Sequence, residues 1–134
     1  MATIVQREPV TVLYLATREV PAGIAKTWDD MDSRFTMMGG RKFYGAMLGP
    51  EEYWAAVELK EGDDAAALNL RIGTLPGGAY ASHKIIDWRP EDIPTVIPQK
   101  IREIKAAHEL DGTRPTMEFY RSQKELVLLV PVKG

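Results

Sequence analysis

The segment 114-RPTMEFYRSQKELVLLVPVK-133 decides the fold class. Residues alternate between two sides of a strand, so Glu118 and Tyr120 share one face of the first predicted strand, with apolar residues on the other. Residues 126–130 are apolar on both faces, which is typical of a central strand in a covered sheet. The segment therefore predicts two strands joined by a polar turn, with a carboxylate beside a buried strand.

The same pattern occurs once before in the chain. The stretch 52-EYWAAVELK-60 aligns with 125-ELVLLVPVK-133 without gaps, at a shift of 73 residues. A short strand and, before it, a helical pattern precede each copy. This order predicts an internal duplication of strand–helix–strand–strand modules, over about residues 3–62 and 67–134.

Size and composition limit the classes of protein. With 134 residues, 45% of them hydrophobic, the chain is predicted to form a single domain over residues 1–134. The net charge is −2 with acids and bases interspersed, which argues against direct nucleic-acid binding. Cysteine is absent and no apolar run approaches the ~20 residues that cross a bilayer. We expect a soluble cytoplasmic protein without membrane contact.

Two amphipathic helices are predicted from apolar residues at helical spacing. The first stripe consists of Ile24, Trp28, Met31, Phe35 and Met38, and Gly39-Gly40 ends it. The second consists of Ile93, Ile97, Ile101, Ile104 and His108, with Pro98 either in the first turn or at a kink. Trp28 is expected to be a core residue because it lies on an apolar stripe.

The remaining segments are predicted to be strands. They cover residues 10–16, 42–48, 53–60, 67–74 and 79–87, in addition to the two closing strands. Together with the helices, they predict an α+β fold with an antiparallel sheet and two main helices.

Three segments resemble the GyrI-like superfamily, which includes effector-binding domains of AraC- and MerR-type regulators. They are 75-LPGGAYA-81, 115-PTMEFY-120 and 125-ELVLLVPVK-133. The resemblance implies two modules related by a pseudo-twofold axis, with a ligand cleft between them. It also implies that the cleft takes bulky aromatic, often cationic, compounds, with Glu118 facing the ligand. The chain shows no helix-turn-helix pattern, so no direct contact with nucleic acid is expected.

Glu118 is the first candidate site residue on physical grounds as well. A carboxylate among aromatic groups is costly to bury unless it is paired, so it would select a cationic partner. Burial would also raise its pKa and suit it to acid–base chemistry. The alternative is a strand glutamate on the solvent face, bonded to Arg114 or Arg121.

Aromatic and apolar side chains complete the expected ligand-binding set. Tyr120 and Trp54 are the favoured walls, since Tyr120 shares a face with Glu118. The other members are Tyr80, Tyr44, Met47 and Trp88. The 73-residue shift places Gly45 at the position equivalent to Glu118, so the pocket should be asymmetric.

Three functions stay open at this level. The first is a stand-alone protein that binds a lipophilic small molecule, with no cofactor or metal. The second, implied by some members of the superfamily, is hydrolysis of strained cyclopropane-bearing alkylators, with Glu118 and Tyr120 as the catalytic pair. The third is a module that binds a protein partner such as a regulator or gyrase.

Overall fold

A computed structural model describes residues 3–20, 22–34, 42–49, 51–89, 95–121 and 124–133. Within these ranges, a curled sheet of eight antiparallel strands carries three helices, which confirms the α+β prediction. The strands are β1 (Thr3–Arg7), β2 (Val10–Thr17), β3 (Phe43–Met47), β4 (Tyr53–Glu58), β5 (Arg71–Leu75), β6 (Gly78–Ile86), β7 (Thr116–Tyr120) and β8 (Glu125–Pro131). The helices are α1 (Ile24–Asp32), α2 (Ala65–Leu68) and α3 (Val96–Ala107).

The strand order is β1-β6-β8-β7-β3-β4-β2-β5. Strand β8 is buried along nearly its whole length between β6 and β7, as its continuous apolar sequence predicts. Strands β7 and β3 lie side by side at the middle of the sheet, and β1 and β5 form its two edges. Glu118 therefore lies at the centre of the sheet.

The strand order is symmetric about the pair β7–β3. Strands β3, β4 and β2 follow one another on one side, and β7, β8 and β6 on the other. The predicted order strand–helix–strand–strand occurs twice, as β2-α1-β3-β4 and β6-α3-β7-β8. Strand β7 begins and ends 73 residues after β3. The topology is the one a duplication requires, and the duplication itself stays a prediction.

Two helices cover the two halves of one face, which we call the helix face. Helix α1 packs on β2 and β4 through Met31, and α3 packs on β8 through Ile97 and Ile104. Helix α3 begins at Val96, so Pro98 lies in its first turn, where a missing N–H has no cost. Strands β3 and β7 lie between the two helix-covered regions.

The structure corrects some of the predicted element bounds, and other predicted residues lie outside the described ranges. The predicted strand over residues 67–74 is wrong at its start, because Ala65–Leu68 forms α2. The Asp64 side chain accepts hydrogen bonds from the N–H groups of Ala66 and Ala67, which fixes this short helix. Helix α1 ends at Asp32, earlier than the stripe to Met38 predicts, because Ser33 caps it. Residues 35–40 and Ile93 lie outside the described residues.

No helix in the described ranges has the length and apolar character that crossing a membrane requires.

Candidate functional site

The candidate site lies on the helix face, where the two central strands meet. Glu118 of β7 pairs directly with Gly45 of β3 in the antiparallel register. Because Gly45 has no side chain, the space above it is available to the Glu118 carboxylate and to Tyr53 from β4. An added Cβ at Gly45 would lie 2.5 Å from Glu118 Oε1 and closer still to the Tyr53 hydroxyl.

Three side chains form a hydrogen-bond network with the carboxylate of Glu118. The Tyr53 hydroxyl donates to Glu118 Oε1 at 2.9 Å, and the Tyr120 hydroxyl donates to the same oxygen at 3.1 Å. The indole N–H of Trp28 on α1 donates to the Tyr53 hydroxyl oxygen at 2.9 Å. This bond occupies a lone pair of Tyr53 and leaves its proton directed at Glu118.

Glu118 is buried, with 9% of its surface exposed. Burial raises the pKa of its carboxyl group, and the hydrogen bonds from Tyr53 and Tyr120 offset part of this rise. No lysine or arginine in the described ranges forms an ion pair with Glu118. The donors that the described residues supply to this buried carboxylate are therefore neutral phenols.

The solvent-face alternative for Glu118 is wrong. Arg114 bonds to Asp111 at 3.1 Å, and Arg121 lies 3.5 Å from Glu125. Neither arginine forms an ion pair with Glu118.

Both tyrosines remain protonated over the physiological range. Burial is the largest cause that raises the pKa of Tyr53 and of Tyr120, and the negative charge of Glu118 raises both further. The hydroxyl groups therefore act as hydrogen-bond donors to Glu118.

Aromatic rings cluster around Tyr120, which donates to the carboxylate. Tyr120 contacts two indole rings. Trp28 meets it edge-on with 5.4 Å between ring centroids, and the Trp88 ring lies at 5.3 Å in a tilted orientation. Phe43 meets Trp28 at 6.2 Å. The Trp88 indole N–H is buried and has no hydrogen-bond partner among the described residues. These four rings thus form one connected cluster, which reaches the acid through Tyr120.

The sheet separates the predicted site residues into two groups. Met47 faces the same side as Tyr53, its register partner, and so belongs with Glu118, Tyr120 and Trp88 on the helix face. The other three, which lie in a cluster on the opposite face, are Tyr44, Trp54 and Tyr80. Their separation follows from strand alternation, since Tyr44 precedes Gly45 and Trp54 follows Tyr53. The predicted set therefore does not form one pocket.

Sequence reasoning missed two contributors. Trp28 packs against the core, as predicted, but it also donates a hydrogen bond within the site, which was not predicted. Tyr53 donates directly to Glu118 from a strand 65 residues away in sequence. The sequence signal for Tyr53 was the alignment at a shift of 73 residues. It makes β4, the strand of Tyr53, equivalent to β8, which lies beside the strand of Glu118. No sequence signal links Trp28 to the acid.

No protein-family model and no curated protein matches the chain. Solved structures show the same fold. An integron cassette protein from the mobile metagenome of Vibrio cholerae is similar with a TM-score of 0.77 and 13% identity, over 98% of this chain and 95% of that one. The protein SAV2435, bound to tetraphenylphosphonium, is similar with a TM-score of 0.68 and 16% identity, over 100% and 94%. A hydrolase from Listeria innocua has a TM-score of 0.59 and 11% identity, over 98% and 91%.

Proposed function

We propose that this protein binds a lipophilic aromatic cation on the helix face, with Glu118 as the charge-selective residue. The observation that carries the proposal is a buried carboxylate whose donors in the described residues are two neutral hydroxyls. A buried ionised carboxylate without a counter-charge is unfavourable. A cation placed beside it removes that cost, whereas a neutral compound of the same shape does not.

The surrounding rings provide the rest of the affinity. Trp28, Tyr120 and Trp88 offer ring faces and edges on which aromatic groups stack, and ring faces attract cations. Burial of a drug-sized apolar ligand in such a setting commonly gives micromolar affinity, about −8 kcal/mol. The fold neighbour bound to tetraphenylphosphonium carries a ligand of this chemical class, which supports the proposal.

A second candidate function is hydrolysis. Burial raises the pKa of Glu118, and a carboxyl group that retains its proton to higher pH can act as a general acid on a strained substrate. The Tyr120 hydroxyl, which donates a hydrogen bond to Glu118 Oε1 at 3.1 Å, would orient the carboxyl group. A fold neighbour described as a hydrolase supports this candidate. A cyclopropane-bearing alkylator is the substrate class to test.

The deciding experiment compares binding of tetraphenylphosphonium and of neutral triphenylphosphine oxide by calorimetry. Glu118→Gln should weaken binding of the cation at least tenfold and change binding of the neutral compound less than twofold. Glu103→Gln, at a glutamate on α3 whose side chain is 54% exposed, is the matched control. Equal affinity of the cation for both variants would refute the charge-selective role.

The pH dependence gives a second readout on the same samples. The cation binds the ionised carboxylate, so its affinity should rise with pH through the raised pKa of Glu118 and then level off. Glu118→Gln should remove this dependence. Hydrolysis would instead show as product formed from the alkylator, measured by chromatography and abolished by the same substitution. Cation binding without product excludes the second candidate for that substrate.

A further inference from the structure

A groove of about 440 Å³ lies at the β5 edge of the sheet, away from the central pair β7–β3. It is lined by Tyr14 and Arg18 from β2 and the residues after it, by Arg71 from β5, and by Asn69. Its volume falls within the range of sites that hold small molecules, about 300–1,000 Å³. Two strands, β3 and β4, separate it from Glu118 in the sheet order.

One wall of the groove is aromatic. Tyr14 stacks on Trp54, with ring centroids 3.7 Å apart and planes 10° from parallel. Gly73 on β5 makes this arrangement possible, because a Cβ there would lie 2.8 Å from Tyr14 Cε1 and 3.0 Å from Trp54 Cζ3. Tyr14, the ring of this pair that lines the groove, is half-buried and offers an apolar surface there.

The polar lining is positively charged. Arg71 is the register partner of Tyr14, which places its side chain next to the ring on the same face of the sheet. It is exposed and forms no ion pair within the described residues. Arg18 lies 3.8 Å from Glu52, a loose surface pair, with 86% of its side chain exposed. Glu52, the carboxylate near Arg18, also accepts a hydrogen bond from the Trp54 indole at 2.8 Å.

We propose that this groove binds an aromatic anion, such as a carboxylate or sulfonate carried on a planar ring system. The ring packs on Tyr14, and the anionic group lies between Arg18 and Arg71. Guanidinium groups match this ligand because they present paired N–H donors to a carboxylate. The Asn69 amide adds a donor at the rim. The charge preference is opposite to that proposed at Glu118.

The test uses naphthalene-2-carboxylate and its neutral amide as probes, with binding followed by NMR of the labelled full chain. The carboxylate should bind more tightly than the amide and shift the Trp54 indole resonance. Arg18→Gln and Arg71→Gln should each weaken carboxylate binding about three- to tenfold, as expected for partly exposed charge-assisted contacts. Arg102→Gln, at an exposed arginine on α3, is the control and should leave the affinity unchanged.

The outcomes separate this site from the one at Glu118. Glu118→Gln should leave naphthalene-2-carboxylate binding unaltered, so failure at either site is visible independently. Equal affinity of the carboxylate and the amide would overturn the proposal. The proposal would also be overturned if Arg18→Gln, Arg71→Gln and the Arg102→Gln control bound the carboxylate with equal affinity. A Trp54 indole resonance that does not shift at millimolar probe concentration would overturn it as well.

Discussion

Gly45→Ala is the substitution whose effect the structure defines most sharply. The new methyl group would overlap the Tyr53 hydroxyl and would lie 2.5 Å from Glu118 Oε1. Both neighbours are buried, so neither can move into solvent without breaking the bond between them. One methyl group should therefore disrupt the candidate site from the opposite strand.

The magnitude follows from two contributions. Insertion of a methyl group into a packed interior costs about 1–3 kcal/mol. Displacement of the Tyr53 hydroxyl removes one of the two phenol donors of Glu118, at a further cost of about 1–3 kcal/mol. We expect the free energy of unfolding to fall by about 3 kcal/mol, which lowers the Tm of a chain this size by about 10 °C.

Urea unfolding measures this loss, with Gly112→Ala as the matched control. A Cβ at Gly112 meets no atom within 4 Å, so the same substitution there should change stability by less than about 0.5 kcal/mol. The double variant Gly45→Ala/Tyr53→Phe should regain part of the loss relative to the sum of the single variants, because it lacks the nearest clashing oxygen. A Gly45→Ala variant within 1 kcal/mol of wild type would refute the described packing around Glu118.

Two further predictions concern stability. Glu118→Gln should make the protein more stable at pH values above the raised pKa of Glu118, where the wild type bears a buried charge. The folded protein binds this proton more tightly than the unfolded chain, so the advantage of the variant should shrink as the pH falls through that pKa. Urea unfolding at pH values from 8 to 4 measures the difference. Arg114→Met should lower the free energy of unfolding by about 2–4 kcal/mol, because Arg114 donates to three backbone carbonyls and packs on the Tyr80 ring. Thermal melts should show this loss as a lower Tm, with little change for the control Arg121→Met at an exposed arginine.

The architecture was largely predictable from the sequence because its signals are local. Alternation along residues 116–120 placed Glu118 and Tyr120 on one face, and the structure confirms this through their shared hydrogen-bond network. The apolar run at residues 126–130 correctly predicted a central strand. Strand β1 was not predicted; in the described part of the chain it pairs with β6, far away in sequence.

The site was predictable only in part, because it depends on which face of each strand meets which helix. The acid and its neighbour Tyr120 follow from one strand's alternation. Trp54 was favoured over Tyr53, yet their strand turns Tyr53 towards Glu118 and Trp54 towards the opposite face. A single sequence fixes the alternation but not the register between strands 65 residues apart. The same limit hides the bond from Trp28.

The pairing of Gly45 with Glu118 also explains why the site carries a single acid. If the two halves derive from one duplicated module, as we propose, these two residues are equivalent by the 73-residue shift and lie directly opposite each other. Two glutamates there would place like charges side by side on adjacent strands, which is unfavourable. They would also compete for space in which not even one Cβ fits beside Tyr53. A symmetric ancestor could therefore gain a buried acid at this position only by losing the side chain opposite, which leaves a single carboxylate at the centre of the sheet.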